Sequence, residues 1–171
     1  FNNFFEHRHL TKEFGSQKAK IITAIAMFYD LDNPNSFVAD IKKSLRDDGL
    51  FIIQMSYLPS MLKQIAFDNI CHEHIEYYSL LSLEQLLARH NLEIFDMELN
   101  DINGGSFRTY IRHSGSKIGQ NRHGREKRYK KVLVLEKRMG LNSQKPYDKF
   151  VSKVGEIKDK LCDFMKSETA K

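Results

Sequence analysis

Cysteine is scarce: Cys71 and Cys162 are the only two in 171 residues, and no Cys-x-x-Cys pair occurs. That argues against a disulfide framework or a structural zinc knuckle built within this chain, and it makes a reducing cytoplasm the expected compartment. Long apolar runs are also lacking. The longest are short, such as LFII at 50–53, where a membrane helix needs about 20 apolar residues, so no membrane partner is expected. The opening FNNFFEHRHL has no basic stretch followed by an apolar one, so it does not read as a secretory signal, and it carries no initiator Met. What is present is an ordinary globular balance, 41% hydrophobic and 29% charged.

The net charge of +5 is unevenly spread. Residues 1–113 carry 11 Lys and Arg against 15 Asp and Glu, whereas residues 114–140 carry 9 against 2. The basic character therefore belongs to one segment. Such a segment can attract phosphates, but it holds a single aromatic, Tyr129, and no nucleic-acid reader motif. It reads as a solvated surface or as a steering patch for an anionic substrate, and no nucleic-acid partner is expected.

The hydrophobic pattern gives an α/β order. KAKIITAIAMF (18–28) reads as a buried strand. Asn33 and Pro34 suit an N-cap and a first helical position, Phe37, Ile41 and Leu45 share one helical face, and Gly49 can close that helix. LFIIQMSY (50–57) is a second buried strand, so the first two strands run parallel. A short helix follows at LPSMLKQIAFDN. SLEQLLARHN (82–91) offers a capping box from Ser82 to Gln85. LEIFDMEL (92–99) and SFRTYIRH (106–113) form an antiparallel hairpin about the Asn-Gly turn. Residues 114–128 hold three glycines and read as a basic linker, and residues 129–171 read as helical. In the last helix Phe150, Val154, Ile157, Leu161 and Phe164 alternate 4, 3, 4, 3. That seam runs about two heptads and reads as an amphipathic helix packed on a domain.

ICHEHIEYYSL (70–80) gathers a cysteine, two histidines, two glutamates and two tyrosines. As a metal site it is poor, because adjacent ligands chelate badly and no His-x₃-His or Cys-x₂-Cys spacing supports it. As an acid–base centre it is better placed. Histidine titrates near neutral pH, a nearby carboxylate can orient its ring, and ligands of open α/β sheets bind beyond the carboxyl ends of the strands. A buried polar junction is the third reading. Gln54 and Tyr57 stand where the second strand exits, as packing residues or substrate partners. In NGGSFR (103–108), Asn103 and Arg108 either shape a turn or face a ligand.

The longer string resembles the S-adenosylmethionine-dependent sugar C-methyltransferases, most closely in FYDLDNP, DDGLFIIQMSYLPSML, FDNICHEHIEYYSL and NDINGGSFR. The resemblance spans about residues 20–113, and more loosely YDKFVSKV onward. It implies the C-terminal half of a Rossmann-like methyltransferase sheet over residues 1–113, ending in the hairpin. The basic linker at 114–128 would follow, then the helical start of a C-terminal domain. It implies a cytoplasmic enzyme acting on a carbon next to the ketone of a nucleotide-diphosphate sugar, by enolate formation and then methyl transfer. The family's base is the histidine of a Glu-His pair, which falls on His74, with Glu73 positioning it or binding a sugar hydroxyl. His72, Tyr77 and Tyr78 would face the enolate oxygen. Gln54, Tyr57, Asn103 and Arg108 would contact substrate, and Ala26, Phe28 and Asp30 would border the cofactor. Some members carry a tyrosine where Cys71 stands, and a histidine near Asp30.

The glycine-rich loop that holds S-adenosylmethionine is lacking here, since the only adjacent glycines are Gly104 and Gly105. The family's cysteine-rich zinc domain is lacking too, so no metal is expected on this chain. The expectation is an internal stretch of such an enzyme, inactive by itself. Two other functions compete: a metal-dependent hydrolase using Cys71, His72 and His74, and a basic nucleic-acid-binding protein.

Overall fold

The computed structural model describes residues 4–121 and 124–170, apart from the side chain of Asn103. Four strands form one sheet in the order β1-β2-β4-β3. β1 (Ala19–Ile25) and β2 (Leu45–Ser56) run parallel, joined by α2 (Pro34–Ser44), with α1 (His7–Phe14) ahead of them. After β2 come α3 (Leu58–Gln64), a loop, and α4 (Leu80–Ala88). β3 (Leu92–Asn100) and β4 (Ser106–His113) form the antiparallel hairpin, and β4 pairs antiparallel with β2. α5 (Arg125–Met139) and α6 (Lys145–Thr169) close the described chain. Parallel strands followed by an antiparallel hairpin are what the sequence pattern predicts.

Side-chain alternation decides where the core lies. Phe51, Ile53 and Met55 of β2 stand opposite Ile111, Thr109 and Phe107 of β4, and all six are buried. Val38 and Ile41 of α2, Leu80, Leu83 and Leu87 of α4, and Val132 of α5 bury in the same core. The opposite face is less covered. Ile21 and Ile25 of β1 lie on it, next to Leu50 and Gln54, and both are exposed. β1 is thus an edge strand with one open face rather than a buried strand.

Several boundaries differ from those read in the sequence. α2 stops at Ser44, and Gly49 lies inside β2. Ala19 pairs with Leu45 while Ile21 pairs with Leu50, so residues 46–49 bulge from the ladder. A Cβ at Gly49 would meet the Leu45 side chain at 2.7 Å, so the glycine makes room instead of ending a helix. The α4 capping box is Ser79 with Ser82, three residues before the expected pair: Ser79 N–H donates to Ser82 Oγ (2.9 Å) and Ser82 N–H to Ser79 Oγ (3.2 Å). The early start buries Leu80. α5 begins at Arg125, inside the expected linker, because Arg128 pairs with the fully buried Asp96 of β3 (2.7 Å) and draws the helix onto the sheet. α6 packs only through its start. Phe150 and Val154 meet Met61 and Leu62 of α3, whereas Ile157, Leu161 and Phe164 remain exposed. Among the described residues, no helix is long and apolar enough to cross a membrane.

One carboxylate joins these parts. Glu136 of α5 is 1% exposed. Its Oε1 accepts from the Tyr57 hydroxyl (2.7 Å) and the Leu80 N–H (2.6 Å), and its Oε2 from the Leu81 N–H (3.0 Å). A helix leaves four N–H groups without intrahelical partners at its start. In α4 the Ser79 N–H goes to Ser82 Oγ, Glu136 takes those of Leu80 and Leu81, and Ser79 Oγ takes that of Ser82. The carboxylate also complements the positive end of the helix.

Replacing Glu136 with Ala strands three donors, two of them buried, and should cost about 3 kcal/mol or more. Glu136→Gln, which keeps an acceptor oxygen, should cost less. Urea unfolding of the protein checks this: midpoints should order wild type, Gln, Ala, with similar slopes. Nearby, Tyr129 donates to Glu84, whose carboxyl is pushed up by burial and then by Glu136. With a raised folded value, the stability Glu84 lends is present at low pH and lost as pH rises through that value. Glu84→Gln removes this loss, so its melting temperature relative to wild type should rise between about pH 4 and pH 7.

Candidate active site

The loop at residues 65–79 hangs between α3 and α4. Its exit is tied twice, by Glu136 at the head of α4 and by the Leu58 N–H, which donates to the Tyr78 carbonyl (3.0 Å). Its middle is tied to the segment after β1. The Tyr29 carbonyl accepts from the N–H groups of Ile75 and Glu76, both at 3.1 Å. The loop therefore folds back over the carboxyl end of β1, beside the crevice where open α/β sheets bind ligands.

His74 is the best-held group in the loop. Its Nδ1 lies 2.8 Å from the Asn69 carbonyl oxygen, and its ring stands edge-on to Tyr29, with centroids 4.4 Å apart. A carbonyl can only accept, so Nδ1 carries the proton. In the neutral ring Nε2 is then the free base. The Tyr77 hydroxyl donates to the same carbonyl (3.2 Å), which commits its proton to the frame.

The other predicted residues fall in different places. Glu73 does not orient His74: its Oε1 lies 3.2 Å from His72 Nε2, and the His72 side chain is 90% exposed. Residues 71–74 form a turn closed by the His74 N–H on the Cys71 carbonyl (3.2 Å), and within it Glu73 meets His72 instead. Tyr78 is buried, its ring edge-on to Phe28 (5.3 Å), and burial, then the Glu76 carboxylate, push its hydroxyl far above the usual range. Tyr57 is 1% exposed with its hydroxyl given to Glu136, so it anchors the frame. Gln54 and Arg108 face each other across β2 and β4, and Arg108 donates to Gln54 Oε1 through Nε (2.8 Å) and through Nη2. They form one polar pair on the open face of the sheet. The side chain of Asn103 lies outside the described residues. At Gly105 (φ 117°) the close neighbour is Ser60 of α3, whose Cβ would stand 2.6 Å from an added Cβ, so this glycine admits a helix.

On the cofactor side, Ala26 and Asp30 are exposed just past β1, and Ala26 takes a left-handed φ of 53°. These two fit a place beside a bound cofactor. Phe28 does not: it is 1% exposed, packed against Phe37 and Tyr78. Among the described residues, no three His, Cys, Asp or Glu side chains gather to hold a metal ion. Tyr29 and Asn69 went unforeseen. Tyr29 could have been suspected from its place directly after a parallel strand, but a backbone carbonyl such as that of Asn69 leaves no trace in residue type.

A family model described as "Methyltransferase domain" matches residues 1–96. This chain belongs to the methyltransferase domain family. A second model, "C-methyltransferase C-terminal domain", matches residues 101–171. The two matches meet within the β3–β4 hairpin, so both regions of this methyltransferase chain contribute to one sheet. Among curated relatives, the C-methyltransferase NovU of Streptomyces niveus is 34% identical over 88 residues. That alignment covers 52% of this chain and 21% of the relative, so the chain spans about a fifth of that relative's length. Solved structures similar to this methyltransferase chain include two described as methyltransferases. An S-adenosylmethionine-dependent methyltransferase from Clostridium acetobutylicum is 13% identical, with a TM-score of 0.45, covering 58% of this chain and 60% of that one. A complex of the Haloferax volcanii Trm112 methyltransferase activator with a methyltransferase is 10% identical, with a TM-score of 0.47, covering 57% and 56%.

The tautomer assigned to His74 can be read directly. Long-range ¹H–¹⁵N spectra of ring-labelled protein above the titration range should show His74 protonated at Nδ1. His72, whose Nε2 faces the Glu73 carboxylate and which meets no carbonyl among the described residues, should show the Nε2–H form.

Proposed function

We propose that the protein carrying this chain is an S-adenosylmethionine-dependent C-methyltransferase of a nucleotide-linked keto-sugar, with His74 as the base. The observation that supports this most is the Nδ1 contact to the Asn69 carbonyl. It presents an unprotonated Nε2 from a loop tied to the carboxyl end of β1. Nε2 takes the proton from the carbon next to the ketone, and the C–H electrons pass into the enolate. A positioned base of this kind contributes about 10²–10⁴-fold. S-adenosylmethionine, bordered by Ala26 and Asp30, would supply an electrophilic methyl group: the new C–C bond to the enolate carbon would form as the methyl–sulfur bond breaks, its electron pair staying on the sulfur of S-adenosylhomocysteine.

Each remaining residue has a part consistent with its position. The Tyr29 ring and the Asn69 carbonyl hold the imidazole at a fixed angle, which keeps Nε2 aimed as the proton leaves. Exposed Glu73 and His72 are free to reach sugar hydroxyls or the enolate oxygen. The Gln54–Arg108 pair offers a cationic contact on the open face of the sheet. Ala26 and Asp30 border the cofactor. The reaction takes place in the cytoplasm.

Deuterium exchange at the sugar carbon, followed by NMR with the methyl donor withheld, tests the base. In the full-length protein His74→Ala should slow exchange at least about 100-fold. Glu73→Gln should slow it much less and act mainly on KM. Wild-type exchange in the His74→Ala protein would remove His74 from this role.

A further inference from the structure

One carbonyl of the loop serves two donors. The Asn69 oxygen accepts from His74 Nδ1–H (2.8 Å) and from the Tyr77 hydroxyl (3.2 Å). A carbonyl has two lone pairs, so both are used. The other edge of the same peptide plane is held as well, because the Ile70 N–H donates to the Phe67 carbonyl (3.0 Å). These bonds together set the direction of the carbonyl, and the carbonyl sets the direction of the imidazole.

The bonds differ in what stands behind them. Phe67 and His74 are carried by a segment with little regular structure, and the Phe67 side chain is exposed. Tyr77 is also in the loop, but its ring is seated in packed protein. It lies against the cluster formed by Met61 and Leu62 of α3 and Phe150 of α6. A tyrosine has few side-chain torsions, so seating the ring also places the hydroxyl. The hydroxyl stays a donor across the pH range of interest. Burial holds it above the ordinary tyrosine value, and the charge on Cys71 adds to this, against a hydrogen bond from the Cys71 main chain. It therefore keeps its proton where a histidine ring is neutral and basic.

We infer that Tyr77 is a positioning residue for His74: with its ring seated in the α3–α6 cluster, its hydroxyl fixes the Asn69 carbonyl, and through it the tautomer and angle of the imidazole. The inference rests on the proposed role of His74 as the base and adds what anchors that ring to the packed core. Tyr77 then touches neither substrate nor the proton in transit. Removing its hydroxyl leaves the aromatic ring in place and frees the peptide plane. The imidazole then samples both tautomers and a wider range of angles, and fewer molecules present an unprotonated, aimed Nε2. α6 lies in the region matched by the C-terminal family model and Tyr77 in the region matched by the other, so the packing between the two regions reaches the base.

Two measurements on ring-¹⁵N-labelled full-length protein test this, with His74 signals assigned by their loss in His74→Ala. Far-ultraviolet circular dichroism checks that the variants fold. In long-range ¹H–¹⁵N spectra above the titration range, Tyr77→Phe should turn the single Nδ1–H form of His74 into a mixture with the Nε2–H form. Deuterium exchange into thymidine diphosphate-4-keto-6-deoxyglucose, with the methyl donor withheld, should lose about tenfold in kcat and keep its KM within about twofold. Tyr147→Phe is the control. Its hydroxyl belongs to the same cluster but donates to the Leu141 carbonyl (2.9 Å), away from the loop, so its loss should change neither reading. A single Nδ1–H tautomer in Tyr77→Phe, an unchanged kcat, or a change confined to KM overturns the assignment. The tautomer is read without substrate, so the two ideas fail separately: wild-type exchange in His74→Ala removes the base and leaves the tautomer result standing.

Discussion

The buried carboxylate of Glu136 is the constraint on which the rest of the molecule depends. It is one side chain with three donors, one from the end of β2 and two from the first turn of α4. Tyr57 terminates the central strand, Leu80 and Leu81 begin α4, and Glu136 itself belongs to α5. A buried carboxylate is tolerable only when its lone pairs are used, so the three elements must arrive together or the charge is stranded. The region matched by the C-terminal family model therefore supplies the cap for a helix of the region matched by the other.

That cap matters to the chemistry because α4 receives the loop bearing His74. The loop has little regular structure and several exposed side chains, among them Ile70 and Ile75. Its order comes from its ends and from backbone bonds to Tyr29. The geometry of the His74 imidazole is thus fixed by main-chain atoms, Asn69 for the ring and Tyr29 for the loop, and the charged neighbours in sequence are left to solvent. A backbone carbonyl has a further advantage over a carboxylate as the orienting group. It carries no net charge and does not titrate, so it fixes the tautomer at every pH at which the ring is neutral.

The sequence made the sheet legible where patterns were long. The β3–β4 hairpin, the parallel pair and the helix after Asn33 were all readable from period and turn chemistry. Asn33 does accept from the Ser36 N–H, at 2.9 Å. What escaped was decided by partners far away in the chain. α4 starts at Leu80 because residue 136 is there to cap it, and α5 starts at Arg125 because Asp96 is buried beneath Arg128. Gly49 looked like a helix stop and proved to be a space requirement against Leu45. In the candidate site, the motif singled out His74, which the structure holds by its ring. Its partners could not be singled out that way, because one is a main-chain oxygen and the other, Tyr29, lies 45 positions earlier. Tyr57, at the exit of the second strand, was open to either a packing or a substrate role, and Phe28 entered only through the resemblance; both are buried in the core.

The strand order carries a consequence for how the sheet comes together. β4 stands between β2 and β3, so β3 has no ladder of its own to the parallel pair. Whatever holds β3 to the sheet is relayed through β4 or comes from helices α4 and α5 against it. The hairpin is thus the assembly unit: a chain that has emerged only as far as β3 can complete nothing, and one in which β4 lets go releases two strands at once. Topology of this kind makes docking of the hairpin the long-range step, set by the search between residues near 54 and 108 rather than by the local turn.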